Sequence, residues 1–84
     1  MDKIKWKKDS TVQIDRIFST TNKYLFIIDS SLDTVELTVF IHKNKEKLFL
    51  GGRNFINRTD AIEYVNDIHK LEEDSIRKRL IIFS

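Results

Sequence analysis

The 84-residue chain has no cysteine, no proline and only two glycines. Without cysteine it cannot form a disulfide, a thiolate nucleophile or a cysteine-ligated zinc site, so nothing indicates an oxidising compartment. No apolar run approaches the roughly 18 residues of a membrane span. The basic residues 1–8 are followed by Asp9, Ser10 and Thr11 rather than by an apolar signal core. These absences predict a soluble, cytoplasmic protein with no membrane partner.

Groups that carry catalysis are equally sparse. Gly51 and Gly52 are adjacent, so the chain has no phosphate-binding glycine loop and no dinucleotide fingerprint. His42 and His69 have no histidine-rich metal spacing around them, and no serine stands in a nucleophile elbow. We therefore expect no enzyme activity, no cofactor and no metal site.

What the chain does contain is enough apolar material for one core. It is 40% hydrophobic, with six Phe, two Tyr and one Trp, which argues against intrinsic disorder. A chain of this length can build only one core. The sequence thus predicts a single small α+β domain over residues 1–84.

Residues 57–71 carry the clearest periodicity. Apolar side chains repeat at helical spacing, and charged ones share the opposite side of the cylinder. Asn57 is the predicted N-cap, with Thr59 as the rival. The apolar side is Ala61, Ile62, Tyr64, Val65, Ile68 and Leu71, and the polar side is Asp60, Glu63, Asp67 and Lys70.

The first fifty residues alternate with the period of strands. We predict a short edge strand in residues 1–8, a strand over 11–18 with a bulge near Asp15 or Arg16, and a central strand over 24–28 buried on both faces. The cleanest strand is 34–42, followed by a charged hairpin connection at 43–47 and a strand at 48–50. Gly51 and Gly52 suit a tight turn that leads into the helix.

The carboxyl end permits two interpretations. Glu73 with Arg77 and Asp74 with Lys78 are favourable i,i+4 pairs that predict a second helix over residues 74–80. Residues 79–83 are also apolar and β-prone enough to form a last strand.

Together these elements predict an α+β fold: an antiparallel sheet of four to five strands, one main amphipathic helix packed on one face, and a short C-terminal helix. The predicted core is Val12, Ile14, Leu25, Ile27, Val35, Leu37, Val39, Ile41, Leu48, Leu50, Ile62, Val65 and Ile68. An exposed Phe40 or a free hairpin edge could support a dimer, but the sequence leaves the oligomeric state open.

Charge is strongly segregated along the chain. Residues 60–74 hold six acids and one Lys, a net charge of −5, whereas the remainder carries +7. The acidic side of the helix can dock on a basic groove of another protein, and it would compete with phosphate if that groove normally holds nucleic acid. The predicted protein-binding residues are Asp60, Glu63, Asp67 and Asp74.

We therefore expect a small non-enzymatic interaction protein that binds a larger protein, such as one that itself binds nucleic acid. Twelve Ile, ten Lys and a single Ala indicate an A+T-rich gene, as in many phages and mobile elements, and such a protein would act as a regulator or inhibitor. The alternative is a small nucleic-acid-binding protein that uses the basic N-terminus and a C-terminal basic cluster. Its predicted contacts are Lys3, Lys5, Trp6, Lys7, Arg53, Arg58, Arg77, Lys78 and Arg79, with Phe49 or Phe55 offering further stacking surfaces.

Overall fold

The structure is a computed structural model that describes residues 4–81. It confirms the α+β class: a five-stranded antiparallel sheet and two helices, the second one short. Lys3 and residues 82–83 lie outside the described residues. The elements are β1 Lys7–Lys8, β2 Asp15–Thr20, β3 Tyr24–Ser30, β4 Val35–Lys43, β5 Glu46–Phe55, α1 Arg58–Ile68 and α2 Glu73–Arg77.

The strands form a simple meander in the order β1, β2, β3, β4, β5. The longest pair, β4 and β5, is joined by Asn44 and Lys45, both with positive φ, at 50° and 67°. Two such residues match the twist of a hairpin turn. The connection is therefore shorter than the five residues predicted for it.

One face of the sheet carries the core, and we call it the covered face. Tyr24, Phe26 and Ile28 of β3 and Leu37 and Val39 of β4 are all fully buried there. Both helices lie on this side, because their buried residues belong to the same cluster: Ala61, Val65 and Ile68 from α1, Ile76 from α2, and Leu80 beyond it.

The prediction of a central strand over residues 24–28 buried on both faces holds only in part for β3. Tyr24, Phe26 and Ile28 are fully buried on the covered face. On the opposite face Leu25 is 9% exposed and Ile27 is half-buried. The predicted burial of two core residues is wrong: Ile14 is 50% exposed and Leu48 is 43% exposed. Ile14 precedes β2, and Leu48 lies on the edge strand β5 near the hairpin turn.

The glycine pair does not form a turn, which corrects a further prediction. Both residues lie inside β5, and a bulge there shifts the register from Val39 opposite Gly51 to Phe40 opposite Phe49. Glycine is required at position 51, where φ is +148° and an added Cβ would stand 2.9 Å from the carbonyl oxygen of Ile81. The close approach arises because Gly52 and Ile81 exchange two backbone hydrogen bonds, each of 2.8 Å.

Other boundaries also differ from those predicted. The first helix ends at Ile68 rather than residue 71, and the second spans Glu73–Arg77 rather than 74–80. Of residues 79–83, the described part forms a turn and then a single β-bridge at Ile81, so neither interpretation holds fully. Of residues 4–8, only Lys7 and Lys8 pair as a strand. No helix within residues 4–81 is long and apolar enough to cross a membrane.

Candidate interaction surfaces

Three carboxylates run along the outward side of α1: Asp60, Glu63 and Asp67, which we call the acidic stripe. At 1.5 Å per residue they are separated by about 4.5 and 6 Å along the helix axis. All three are exposed, and none forms an ion pair with another residue between 4 and 81.

The helix that carries the stripe is held at both ends. The Asn57 side chain caps it, with Oδ1 accepting a 2.8 Å hydrogen bond from the Asp60 amide. Near its other end, the Asn66 side chain accepts a 3.3 Å hydrogen bond from the Ile4 amide. The carboxylates are therefore presented from a fixed support. Asp74, the fourth predicted residue, is exposed on α2 and so is carried by a different helix.

Four carboxylates elsewhere are neutralised within the molecule. Their shortest contacts with cations are Asp15 to Arg58 at 2.6 Å, Asp29 to Arg16 at 2.6 Å, Glu72 to Lys23 at 3.1 Å and Glu73 to Arg77 at 2.7 Å. Hydrogen bonding to Asp29 raises the pKa of Arg16. Hydrogen bonds from Lys43 and Arg77 lower the pKa of Glu73. The unpaired charges of the acidic stripe thus contrast with these four paired carboxylates.

The structure disperses the predicted basic residues. Arg58 and Arg77 pair with the acids named above. Arg53 lies over the Tyr64 ring, 4.7 Å from its centroid, and Arg79 donates to the Ser75 carbonyl at 3.1 Å. Lys78 is exposed after α2. These five residues therefore do not form one continuous row of unpaired positive charges.

Of the remaining predicted contacts, Lys5, Trp6 and Lys7 lie in and before β1, at the edge of the sheet opposite β5. Lys5 and Lys7 are exposed there. Trp6 is half-buried against the core, and its Nε1 is buried without a hydrogen-bond partner among residues 4–81. Phe55 packs on Tyr64, with ring centroids 5.4 Å apart, whereas Phe49 is 41% exposed. Of the predicted stacking aromatics, only Phe49 is therefore presented to solvent.

A second surface, which sequence reasoning missed, is the face of the sheet away from the helices, and we call it the open face. The register places there an apolar band with threonines among it: Phe18, Thr20, Leu25, Ile27, Thr38, Phe40 and Phe49. Phe40 and Phe49 meet edge to face, with centroids 5.8 Å apart. A shallow depression of about 270 Å³ lies over Phe18, Leu25 and Ile27.

Charged and polar groups bound the band at its two ends. Beyond one end stand the paired Arg16 and Asp29, with Glu36 beside them on β4. Beyond the other end stand His42 and Lys47. Two signals in the sequence indicate this face: the continuous apolar run of residues 24–28, and Phe40, which breaks the polar phase of β4.

Within residues 4–81 no group of three or more His, Asp or Glu side chains is placed to hold a metal ion. Comparison of the chain with protein-family models, with curated proteins and with solved structures gives no match.

Proposed function

We propose that this protein is a non-enzymatic interaction protein that docks on a basic surface of a larger protein through the acidic stripe. The observation that supports it is the row of three exposed carboxylates on a capped helix with no cation of residues 4–81 paired to them. Docking would give these charges the partners that the fold does not supply, and complementary charge would steer the encounter.

A surface that binds nucleic acid is the best match for such a stripe. It offers closely spaced cations, and fixed carboxylates on a rigid helix can occupy them in place of phosphate. On that basis the protein would be a regulator or inhibitor of a nucleic-acid-handling protein in the cytoplasm. The A+T-rich composition supports the further proposal that a phage or mobile element encodes it.

Charge reversal of the stripe tests this proposal. Tagged protein would be used to capture partners from a nuclease-treated host lysate. The double variant E63K/D67K should lose the captured protein, and an added oligonucleotide should displace that protein from the wild type. The stability of the double variant should change by no more than about 1 kcal/mol, because both side chains are exposed.

The matched control is D33K/E46K, which makes the same change in net charge at two exposed positions outside α1. It should retain the partner. Equal capture by both double variants would remove the acidic stripe as the docking surface.

Direct binding of nucleic acid is the second candidate, supported by exposed Lys5 and Lys7 beside β2. Fluorescence anisotropy with a labelled oligonucleotide would show binding that weakens steeply with salt and on K5E/K7E substitution. Absence of binding at about 50 mM salt would reject this candidate.

A further inference from the structure

We propose that the open face is the interface of a symmetric dimer in which two copies of this chain pack sheet against sheet. Antiparallel sheets with one solvated face normally show polar residues on it. Here five apolar residues form a band across the middle of that face, and both helices of the described chain lie on the other side. A contiguous apolar patch rimmed by charge is typical of a protein interface.

The side chains of the open face are arranged in two rows across the strands that complement each other in size. If a two-fold axis runs between the rows, parallel to the sheet, the first row of one copy faces the second row of the other. Phe18 and Phe40 then each lie opposite a threonine, and Ile27 lies opposite Leu25. Phe49, which extends the second row, lies opposite Gly52. The rows are Phe18, Ile27 and Thr38, and Thr20, Leu25 and Phe40.

Charge is complementary under the same operation. The axis brings the end of the band that carries Glu36 over the end of the second copy that carries His42 and Lys47. Glu36 and Lys47 are both exposed, and neither forms an ion pair with a residue between 4 and 81. Two equivalent contacts of opposite charge would form, one at each end of the interface.

These features favour a second copy over a nucleic acid on this face. The centre of the band is Leu25 and Ile27, which cannot stack on bases as aromatic rings do. Phe40 and Phe49 are packed edge to face and do not present parallel rings. Arg16 is already paired with Asp29.

The size of the face sets the expected strength. From residue 36 to 42 the band is roughly 20 Å long, and four strands with their side chains are roughly 25 Å wide. Each copy would bury on the order of 500 Å², which is near the lower limit for a specific interface. We therefore expect a dissociation constant on the order of 10 µM. The acidic stripe lies on the other side of the molecule, so the dimer would present two stripes.

Sedimentation equilibrium of the full chain, over concentrations from about 1 to about 500 µM, tests the proposal. Wild type should fit a monomer–dimer equilibrium. Phe49→Lys should raise the dissociation constant at least about tenfold, because it places an unpaired charge in the interface. The control, Ile56→Lys, changes an 89% exposed residue outside the open face and should leave the constant within about twofold.

Charge exchange supplies a test that does not touch the apolar band. Glu36→Lys and Lys47→Glu should each weaken the dimer several-fold, and the double variant should restore most of the loss. Circular dichroism would establish that each variant folds.

A wild type that stays monomeric at about 500 µM would overturn the proposal. So would a dimer that Phe49→Lys does not weaken, or a double exchange weaker than both single variants. A monomer that binds an oligonucleotide through Phe49 would also overturn it and assign the face to nucleic acid instead.

Discussion

Both faces of the sheet carry apolar residues, but these residues lie in different environments. On β3, Tyr24, Phe26 and Ile28 are fully buried under the helices, whereas Ile27, on the same strand, is half-buried on the open face. Alternation in the sequence assigns residues to opposite faces, but it does not say which face receives the helix. A face of the sheet therefore becomes part of the core where helices pack on it.

The sharpest test of this difference uses two neighbouring isoleucines. Ile28→Ala should lower the free energy of unfolding by about 2–4 kcal/mol, because it leaves a cavity between the sheet and α1. Ile27→Ala should cost about 1 kcal/mol or less, because solvent can fill the space that it leaves. Urea unfolding at low protein concentration, where no dimer forms, would measure both.

Equal losses for the two variants would contradict the assignment of the covered and open faces. A loss for Ile27→Ala that grows with protein concentration would instead indicate that the open face is covered by association, as proposed above.

The second test concerns the carboxyl-terminal segment that approaches the covered face at Gly51. Gly51→Ala should cost about 1–3 kcal/mol, because φ is +148° and the new Cβ would meet the Ile81 carbonyl oxygen at 2.9 Å and the Leu80 Cβ at 3.0 Å. The control is Asn54→Ala, an exposed position on the same strand, which should change stability by less than about 0.5 kcal/mol. Thermal and urea unfolding would both show the difference, and no loss for Gly51→Ala would contradict the close approach of this segment.

These contacts also explain what the sequence could and could not predict. The first helix, its Asn57 cap and the apolar phase of β4 follow from local spacing, and the structure confirms them. The position of the glycines in β5 does not follow from local spacing, because a Gly-Gly pair suits a turn equally well. Gly51 must lack a side chain because the backbone of Ile81, thirty residues further along the chain, lies against it. Ile14 and Leu48 are exposed because the first precedes β2 and the second lies near the hairpin turn on the edge strand β5.

The surfaces show the same division between local and long-range information. Helical spacing predicted Asp60, Glu63 and Asp67 on one side of α1, and the structure places them there. Ion pairs between distant segments, such as the pair of Arg58 with Asp15, determine which of the predicted cations have a carboxylate partner within the molecule. Helical spacing does not show these pairs. The open face depends on the register of four strands, so local patterns indicated only parts of it: the apolar run of residues 24–28 and Phe40.

The smallest expected effect concerns how α2 is held beside the sheet. Glu73 bonds both to Lys43 at the end of β4, at 2.9 Å, and to Arg77 on its own helix, and these hydrogen bonds lower its pKa in the folded state. A carboxyl whose pKa is lower when folded contributes stability above its ordinary pKa of 4.5, and this contribution is lost as the pH falls through the lowered value. Glu73→Gln should therefore weaken the fold slightly at neutral pH and make its stability fall less steeply below pH 4.5. Urea unfolding across this range would measure the change, with Asp74→Asn as the control for loss of a neighbouring negative charge. If the free energy of unfolding falls equally with pH in wild type and in Glu73→Gln, these contacts do not hold α2 to the sheet. The helix would then be held on that face by its apolar contacts alone.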